Sequence, residues 1–410
     1  NSAGFCVNLQ IGIGLLAGHP KTHRRTGGES FSRFDFIFMT LRPHWEVSTR
    51  LGNMQRKALL FKSFLLTATW LAFALPDQHP NQGTTVACKA PSGVSVDWWV
   101  MLKVPGAGQY LYRDSESEAP GWTFSGSGTI SDTRSNPLYN TLLPIYRRNR
   151  HTAFGMYNDE PPDSSPSSYR AHAKGVLALN SSAGFWLLHS VPKFPAPPPA
   201  PFVFPHPEQR LGQSAFCLTL TSKDVESCLA PSLMLDYVDI YGSFVPEGFP
   251  SSHRNVAALL AGQHTSGEQG ISSVCQFGLR SHNAWIFSKT RSWGKKLFRD
   301  LVQPYFKEAM AHQSWRSGRG GPLDSCCPPR CLLADLNIAS IKVNVTATGF
   351  AIGWESTRDH SKWSVSLDAE TPIVCFADLN HMASQVRRGG GALCIRNPML
   401  WETLVCSIAT

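Results

Sequence analysis

Short apolar runs, separated by turn-forming residues, recur along the chain from about residue 96 onward. In two of these runs a histidine and a lysine lie two residues apart, which is the spacing of side chains on one face of a strand. The pattern therefore predicts a β-rich protein with many short strands and turns. The clearest predicted strands are 97–103, 153–157, 172–179, 185–189, 360–366 and 373–377.

Two of the predicted strands begin with the same polar pattern, His-x-Lys. His172 and Lys174 open one strand, and His360 and Lys362 open another 188 residues later. In each case a turn and a returning apolar run follow, so both segments are predicted hairpins. A single His-x-Lys would be interpreted as a half-buried structural histidine. Its recurrence in matched hairpins predicts a duplicated fold with one shared site.

The position of His189 depends on the length of the turn in the first hairpin. A four-residue loop over 181–184 places it opposite Val176, on the face that carries His172 and Lys174. A five-residue loop beginning at Asn180 places it on the other face, because a one-residue shift of register inverts the faces. The sequence leaves both registers open.

Composition changes along the chain predict its organisation. Met54 begins a basic and then apolar stretch typical of a secretory signal over 54–78, and 1–53 are interpreted as a doubtful N-terminal extension. Eight prolines in 192–207 predict an irregular crossover between an N-terminal half, 79–207, and a C-terminal half, 208–410. No membrane span is expected in the mature chain, because the apolar stretch is too short.

Overall composition is that of a folded protein, with 410 residues of which 42% are hydrophobic. The formal charge of +9 is misleading, since residues 1–62 carry nine of the 38 Lys and Arg but three of the 29 Asp and Glu. The remaining excess of three positive charges does not by itself indicate an anionic partner.

Cysteines are scattered, and the Cys326, Cys327 and Cys331 cluster has no histidine nearby as a fourth zinc ligand. This arrangement favours disulfides over a metal site and predicts an oxidising compartment. In such a compartment Asn180 and Asn344 are candidate glycosylation sites, because each opens an Asn-x-Ser/Thr triplet.

Paired His-x-Lys motifs suit the cleavage of a phosphodiester. One imidazole can attack phosphorus, the second can protonate the leaving oxygen, and the lysines can hold the non-bridging oxygens. Since one imidazole must be neutral and the other protonated, a rate maximum below neutrality is expected. No run of acidic residues with metal-ligand spacing competes with this interpretation, and no cofactor is expected.

Several runs, in order, give the chain from about Cys88 to Cys406 a specific resemblance to the deoxyribonuclease II family. These runs are 96–98 (VDW), 157–162 (YNDEPP), 172–177 (HAKGVL), 184–192 (GFWLLHSVP), 212–214 (GQS), 359–363 (DHSKW), 378–380 (DLN) and 388–391 (RGGG). The resemblance implies an α/β fold like that of phospholipase D. Such a fold is a pseudo-dimer of two mixed β-sheet halves with flanking helices, which share a central active-site cleft.

The resemblance also implies roles for particular residues. His172, Lys174, His360 and Lys362 would form the active site, with His189 a further important position. On their charge, and not from the resemblance, Arg387 and Arg388 are candidates for contacts to the DNA backbone, with a solvated turn as the alternative, and Asn380 is a further substrate-binding candidate. The disulfides implied are Cys88 with Cys217, Cys375 with Cys394, and one of Cys326, Cys327 or Cys331 with Cys406, whereas Cys228 and Cys275 have no expected partner.

The chain departs from the wider phospholipase D pattern, which has Asp seven positions after each histidine. Leu179 and Leu367 occupy those positions here, so Asn180, Asp368 and Asn380 become the candidates to orient the imidazoles. Ser364 replaces a cysteine expected after Trp363 in the family.

Together these features predict a lysosomal or secreted acid endonuclease. It would hydrolyse DNA without a metal through a phosphohistidine intermediate, leave 3′-phosphate ends, and need no protein partner. Two alternatives are a lipid phosphodiesterase of phospholipase D type and a catalytically silent nucleic-acid-binding glycoprotein.

Overall fold

The structure is a computed structural model, and it describes residues 85–409 except 119, 266–269, 279–282, 319 and 346–348. The predicted extension over 1–53 and the predicted signal over 54–78 lie outside the described residues. Within the described part, no helix is both long and apolar enough to cross a bilayer.

An eight-stranded sheet is formed mainly by the first half of the chain. Its spatial order is β3-β2-β1-β7-β6-β5-β4-β8, and neighbouring strands are antiparallel. The strands are β1 (Trp98–Lys103), β2 (Tyr110–Asp114), β3 (Thr123–Phe124), β4 (Ala153–Asn158), β5 (Lys174–Leu179), β6 (Ala183–His189), β7 (Gln213–Thr221) and β8 (Ile240–Phe244).

A seven-stranded sheet follows, in the order β12-β11-β15-β16-β17-β10-β9. A separate hairpin pairs β13 (Ser340–Val345) with β14 (Phe350–Glu355). The strands of the second sheet are β9 (Ser272–Gly278), β10 (Asn283–Lys289), β11 (Met310–Gln313), β12 (Asp335–Asn337), β15 (Trp363–Ser366), β16 (Ile373–Ala377) and β17 (Gly390–Arg396).

The two sheets repeat one strand order. The first sheet contains the order β2-β1-β7-β6-β5-β4-β8. The second sheet, taken from its β9 edge, has the corresponding order β9-β10-β17-β16-β15-β11-β12. The final pairs differ, since β4 and β8 are antiparallel whereas β11 and β12 are parallel. In this correspondence β5 matches β15, so the two His-x-Lys segments enter equivalent strands. The predicted duplicated α/β fold is confirmed.

Helices flank the sheets and are short. They comprise α1 (Pro137–Tyr146), α2 (Ser222–Asp224), α3 (Ala230–Asp236), α4 (Arg254–Leu260), α5 (Gln303–Phe306) and α6 (Pro398–Val405). A π-helical turn, Val225–Leu229, connects α2 to α3, and another, Phe298–Val302, precedes α5. Local sequence explains where α1 begins, because the Asn136 side chain accepts hydrogen bonds from the backbone N–H groups of Leu138 and Tyr139.

The largest hydrophobic cluster draws side chains from both sheets. Trp98, Val100 and Phe216 of the first sheet belong to it together with Trp363 and Phe376 of the second. The rings of Phe216 and Phe376 contact each other edge to face, with centroids 5.1 Å apart. This apolar contact holds the two halves together, because burying aromatic side chains is a large stabilising term.

The outer faces of the sheets are also covered. This explains why consecutive strand residues, whose side chains point to opposite faces, are both apolar. On the first sheet, Trp99 and Met101 pack with Leu142 of α1 and with Phe194 from the proline-rich segment. On the second sheet, β10, β16 and β17 pack against 297–306.

The proline-rich segment is not where the chain passes from one sheet to the other. Residues 192–207 lead into β7 and later β8, and both strands belong to the first sheet. The passage between sheets lies between Phe244 and Ser272. Proline removes backbone donors, so this segment covers the sheet as an irregular layer instead of extending it.

Disulfides follow part of the expected pattern. Cys88–Cys217 and Cys375–Cys394 form as predicted. A further bridge, Cys228–Cys275, joins the π-helical turn before α3 to β9.

The prediction that one of Cys326, Cys327 or Cys331 pairs with Cys406 is wrong. Cys326 pairs with Cys331, whose Cα lies 6.0 Å away across a five-residue separation, and Cys327 is a free thiol. Cys406 is disulfide-bonded outside this cluster. The short turn through Pro328 and Pro329 brings the nearer cysteines within bridging distance.

Candidate active site

Backbone hydrogen bonds place each His-x-Lys segment against the opposite half of the molecule. The His172 N–H donates to the carbonyl of Gly389, just before β17, at 3.0 Å. The His360 N–H donates to the carbonyl of Gly212, just before β7, at 2.8 Å. Each catalytic candidate is thus held by a glycine of the other half.

Both glycines are sites of close approach. A Cβ at Gly212 would lie 2.4 Å from Oδ1 of Asp359, and one at Gly389 would lie 2.1 Å from the carbonyl oxygen of Asp236. Neither distance is compatible with a side chain larger than hydrogen, so the two halves can meet here only through glycine.

A cavity of about 530 Å³ lies at the seam, which is the place where the two halves meet near His172 and His360. His172, Lys174, His360 and Lys362 all line it, so the structure brings the four predicted residues together. The remaining walls come from both halves and include Glu160, Ser190, Trp315, Asn380, Arg387 and Arg388.

On the first side of the cavity, a buried carboxylate organises the cations. Asp159, which follows β4, accepts hydrogen bonds from Lys174 Nζ and, at 3.0 Å, from a guanidinium nitrogen of Arg388. Nε2 of His172 lies 4.0 Å from Oδ2 of Asp159. Burial would raise the pKa of Asp159, but Lys174, His172 and Arg388 lower it to about 2. Asp159 is therefore ionised throughout the mildly acidic range.

On the second side, an indole replaces the carboxylate. The β4–β5 and β11–β15 registers put Asp159 and Trp315 in equivalent positions. Trp315 packs edge to face against His360, with ring centroids 4.5 Å apart. The duplicated fold thus gives its two histidines different neighbours.

Lys362 is a buried cation that lacks a carboxylate within ion-pairing distance among the described residues. Its Nζ lies 3.5 Å from the carbonyl oxygen of His360. Burial, and then the positive charge of Lys174, lowers the pKa of Lys362 to about 8. It remains charged at mildly acidic pH and is suited to receive an anion.

The cleft imidazoles are neutral in the free protein. Burial lowers the pKa of His172 well below its usual range, with Asp159 opposing the shift. Burial and the charges of Lys362 and Lys174 lower the pKa of His360 to about 3. Because lysine charges and burial cause these shifts, a bound anion would raise both pKa values.

The register of His189 differs from both predicted alternatives. Leu179 pairs with Gly184, so the loop is 180–183 and His189 lies opposite Lys174. The Asn180 side chain fixes this tight turn by accepting from the N–H groups of Ser182 and Ala183. His189 therefore lies on the strand face of Lys174, as the four-residue loop had suggested, although its partner is not Val176.

His189 is buried behind the cleft. Its Nδ1 accepts a hydrogen bond from the N–H of Val191 at 3.2 Å, and its ring packs against Phe194. Burial, followed by the charges of Lys174 and Lys362, lowers its pKa to about 3. It lies opposite Lys174 on the neighbouring strand as a neutral ring.

The candidates for orienting the imidazoles do not all reach the cleft. Asn180 and Asp368 lie in the hairpin turns at the far ends of β5 and β15, where Asp368 accepts from the Glu370 N–H. The prediction that they orient the imidazoles is therefore wrong, because six strand residues span about 20 Å. Asn380 does line the cavity.

Arg387 and Arg388 have different environments. Arg387 is exposed at the cavity wall, whereas the Arg388 guanidinium is bound to Asp159 and to the carbonyls of Arg170 and Ser167. Arg388 thus orders the wall, and Arg387 is the one that faces solvent.

Sequence reasoning missed Asp159, Trp315 and Asp378. Asp159 belongs to the run 157–162, which contributes to the family resemblance but has no assigned role in the predicted site. The sequence did contain a signal for this role. Asp159 directly follows one predicted strand, and Lys174 lies near the start of the next.

Asp378 is a buried carboxyl behind the cleft. Its Oδ2 accepts from the Gly391 N–H at 2.9 Å, whereas its Oδ1 has no hydrogen-bond partner. Burial raises the pKa of Asp378 to about 7, with the Gly391 hydrogen bond and Lys362 opposing the shift. Asp378 is therefore neutral at acid pH.

This architecture, two sheets of one strand order around a shared His-x-Lys cleft, is that of a phospholipase D-like hydrolase. Comparison with known proteins is more specific: the family model described as Deoxyribonuclease II matches residues 87–410. The chain belongs to the deoxyribonuclease II family, and the resemblance noted in its motifs is confirmed.

Curated relatives match most of the chain. Cell-death-related nuclease 7 of Caenorhabditis elegans is 33% identical, covering 77% of this chain and 85% of the relative. Deoxyribonuclease-2-alpha of Rattus norvegicus is 32% identical, covering 77% and 91%. Plancitoxin-1 of Acanthaster planci is 29% identical, covering 79% and 91%.

Replacing Gly212 should disturb the seam. We expect Gly212→Ala to lower the free energy of unfolding by about 1–3 kcal/mol, because Asp359 is fixed by the Trp354 indole and the Ser361 N–H and cannot yield to the new Cβ. Urea unfolding measures this. The control is Gly278→Ala, where no described atom lies within 4 Å of the new Cβ; equal losses in the two variants would contradict the prediction.

Because the Asp378 carboxyl is buried, we expect Asp378→Asn to increase thermal stability by an amount that depends on pH. The folded pKa of the carboxyl, about 7, exceeds the usual unfolded value near ~4, so its contribution to stability is full below pH ~4 and is lost as pH rises through 7. Asp378→Asn stays neutral, and should raise the thermal midpoint by a few degrees at pH 8, less at pH 5, and not at pH ~4. Exposed Asp163→Asn is the control, and a pH-independent effect of Asp378→Asn would count against this explanation.

Proposed function

We propose that the protein is an acid endonuclease that hydrolyses DNA phosphodiester bonds without a metal, through a phosphohistidine intermediate, leaving 3′-phosphate ends. The observation that carries this proposal is the meeting of two His-x-Lys motifs in one cavity, where Lys362 lacks a carboxylate partner among the described residues. The names of the relatives, which include deoxyribonucleases, favour DNA as substrate over a lipid.

The reaction would proceed in two steps. A neutral imidazole nitrogen attacks phosphorus and forms an N–P bond, the P–O5′ bond breaks, and the second imidazole gives its proton to O5′. That imidazole then takes a proton from water, which attacks phosphorus, so the N–P bond breaks and a 3′-phosphate leaves. Lys174 and Lys362 would neutralise the non-bridging oxygens in both steps.

The pKa shifts support activity at acid pH. Both cleft histidines have depressed pKa values in the free protein, and one must be protonated to act as the acid. The phosphate charge would raise that pKa, but protonation is lost again as pH rises towards neutrality. A neutral and a protonated imidazole therefore coexist only at pH values below the raised pKa of the acid imidazole.

A second cavity adjoins the catalytic cleft and would accommodate the DNA that flanks the scissile phosphate. It has a volume of about 760 Å³ and shares Arg291 and Arg387 with the first. The exposed ring of Tyr169 lies beneath the Arg291 guanidinium, 5.3 Å from its centroid. Arginines for phosphates beside an exposed aromatic ring for a base are what a nucleic-acid track needs.

Four disulfides among the described residues support a role in an oxidising compartment, as the lysosome or a secreted location requires. Exposed Asn344 on β13 and Asn180 in its hairpin turn remain predicted glycosylation sites.

Plasmid nicking tests the reaction. With excess chelator, we expect nicking at about pH 5 and little at about pH 7.5, because the acid imidazole is deprotonated at the higher pH. His172→Ala and His360→Ala should each lower the rate at least ~10²-fold, and exposed His151→Ala should not.

Absence of nicking at acid pH would overturn the nuclease proposal, and nicking only with added magnesium would overturn the mechanism. Protein denatured at alkaline pH during turnover, where the N–P bond of a phosphohistidine survives, should carry 3′-phosphorylated DNA on histidine, detected by mass spectrometry. The alanine variant of the attacking residue should lose that adduct.

DNA retention should depend on Arg387. Arg387→Ala is expected to reduce the slope of log Kobs against log[salt] by ~1, because one phosphate contact is lost. Measurement in the His172→Ala background keeps the DNA intact. Exposed Arg134→Ala, distant in sequence from the cavity lining, is the control; an unchanged slope with Arg387→Ala would remove this residue from the DNA track.

A further inference from the structure

A second group of histidines lies outside the catalytic cleft. His312 on β11, Asp335 on β12 and His381 after β16 bring three ligand atoms within 4.8 Å of one another. Nε2 of His312 is 2.9 Å, and Nε2 of His381 is 3.1 Å, from Oδ1 of Asp335. All three residues are buried, with exposures of 1%, 0% and 6%.

Both imidazoles direct Nε2 at Asp335, and a neighbouring amide fixes the tautomer of His381. The Asn337 amide donates through Nδ2 to the Leu323 carbonyl, so its Oδ1 faces Nδ1 of His381 at 2.9 Å and must accept from it. Nδ1 of His312 lies 2.7 Å from the hydroxyl of Ser364, which is able to accept a hydrogen bond from it. When that hydroxyl accepts, both Nδ1 atoms carry protons and both Nε2 lone pairs are directed at one carboxylate oxygen.

These three facing atoms are buried, and despite their short separations no hydrogen bond of good geometry joins them. A nitrogen lone pair beside a carboxylate oxygen at 3 Å is repulsive unless a positive charge lies between them. Arg299 pairs with the other oxygen, Oδ2, and so leaves Oδ1 to the histidines. Two imidazole nitrogens and one carboxylate oxygen, each oriented by an outer partner, form the donor set of a zinc site.

We propose that His312, Asp335 and His381 bind Zn²⁺ as a structural site separate from the reaction. The ligands are Nε2 of each histidine and Oδ1 of Asp335. A water molecule would complete the four-coordinate set. A tetrahedral N2O2 set of this kind favours Zn²⁺ over Mg²⁺ or Ca²⁺, which prefer oxygen ligands.

The site would connect the edge of the second sheet to the wall of the catalytic cleft. His381 lies between Asn380 and Met382, both of which line that cleft. The other two ligands belong to paired strands, β11 and β12. Bound Zn²⁺ would therefore anchor the cleft wall to the sheet and stabilise the fold without contacting the substrate.

Calorimetric titration of the full chain with Zn²⁺ at pH 7.5, after removal of metal by chelator, tests the site. We expect one equivalent to bind and the thermal midpoint to rise, and Co²⁺ to give the visible absorption of a tetrahedral complex. His381→Gln should weaken Zn²⁺ binding at least ~10-fold, as should Ser364→Ala, which removes only the acceptor of His312 Nδ1.

Two controls separate this site from other histidines. The double variant His172→Ala/His360→Ala should bind Zn²⁺ like wild type, as should His253→Gln, which alters a buried histidine elsewhere. No stoichiometric binding by wild type, or unchanged binding by both His381→Gln and Ser364→Ala, would overturn the proposal. Binding lost only in the cleft variant would also overturn it. Because every readout is binding or stability, the outcome is independent of nuclease activity.

Discussion

Two backbone hydrogen bonds that cross between the halves are the constraint on which the site depends. His172 to Gly389 and His360 to Gly212 hold each His-x-Lys segment against the start of a strand in the other sheet. The apolar contact between the sheets, where Phe216 meets Phe376, brings the backbones to that distance. Neither half carries a complete site, so folding of each half and docking of both precede any chemistry.

Equivalent positions in the two halves have acquired different side chains. Asp159 beside His172 corresponds to Trp315 beside His360, so one histidine has an anionic neighbour and the other an aromatic one. A carboxylate stabilises an imidazolium, whereas an indole edge does not supply a charge. This difference makes the duplicated site chemically unequal.

Local pattern predicted the strands well, because a short apolar run bounded by turn-forming residues is a property of a few neighbouring residues. The hairpins that follow Lys174 and Lys362 and the duplicated plan could be predicted in this way. Contacts between distant segments could not, since strand order and register decide them. Asp159 reaches Lys174 only through the pairing of β4 with β5, and the passage between sheets falls after Phe244, away from the prolines.

The Cys228–Cys275 bridge has a consequence for the covalent integrity of the protein. It attaches the π-helical turn between β7 and β8 of the first sheet to β9 of the second sheet. The whole passage between sheets, 245–271, lies inside the loop that this bridge closes. A single proteolytic cut within that passage therefore yields two polypeptides that remain one covalent molecule. Such a two-chain form would keep the cross-half hydrogen bonds and would separate only on reduction.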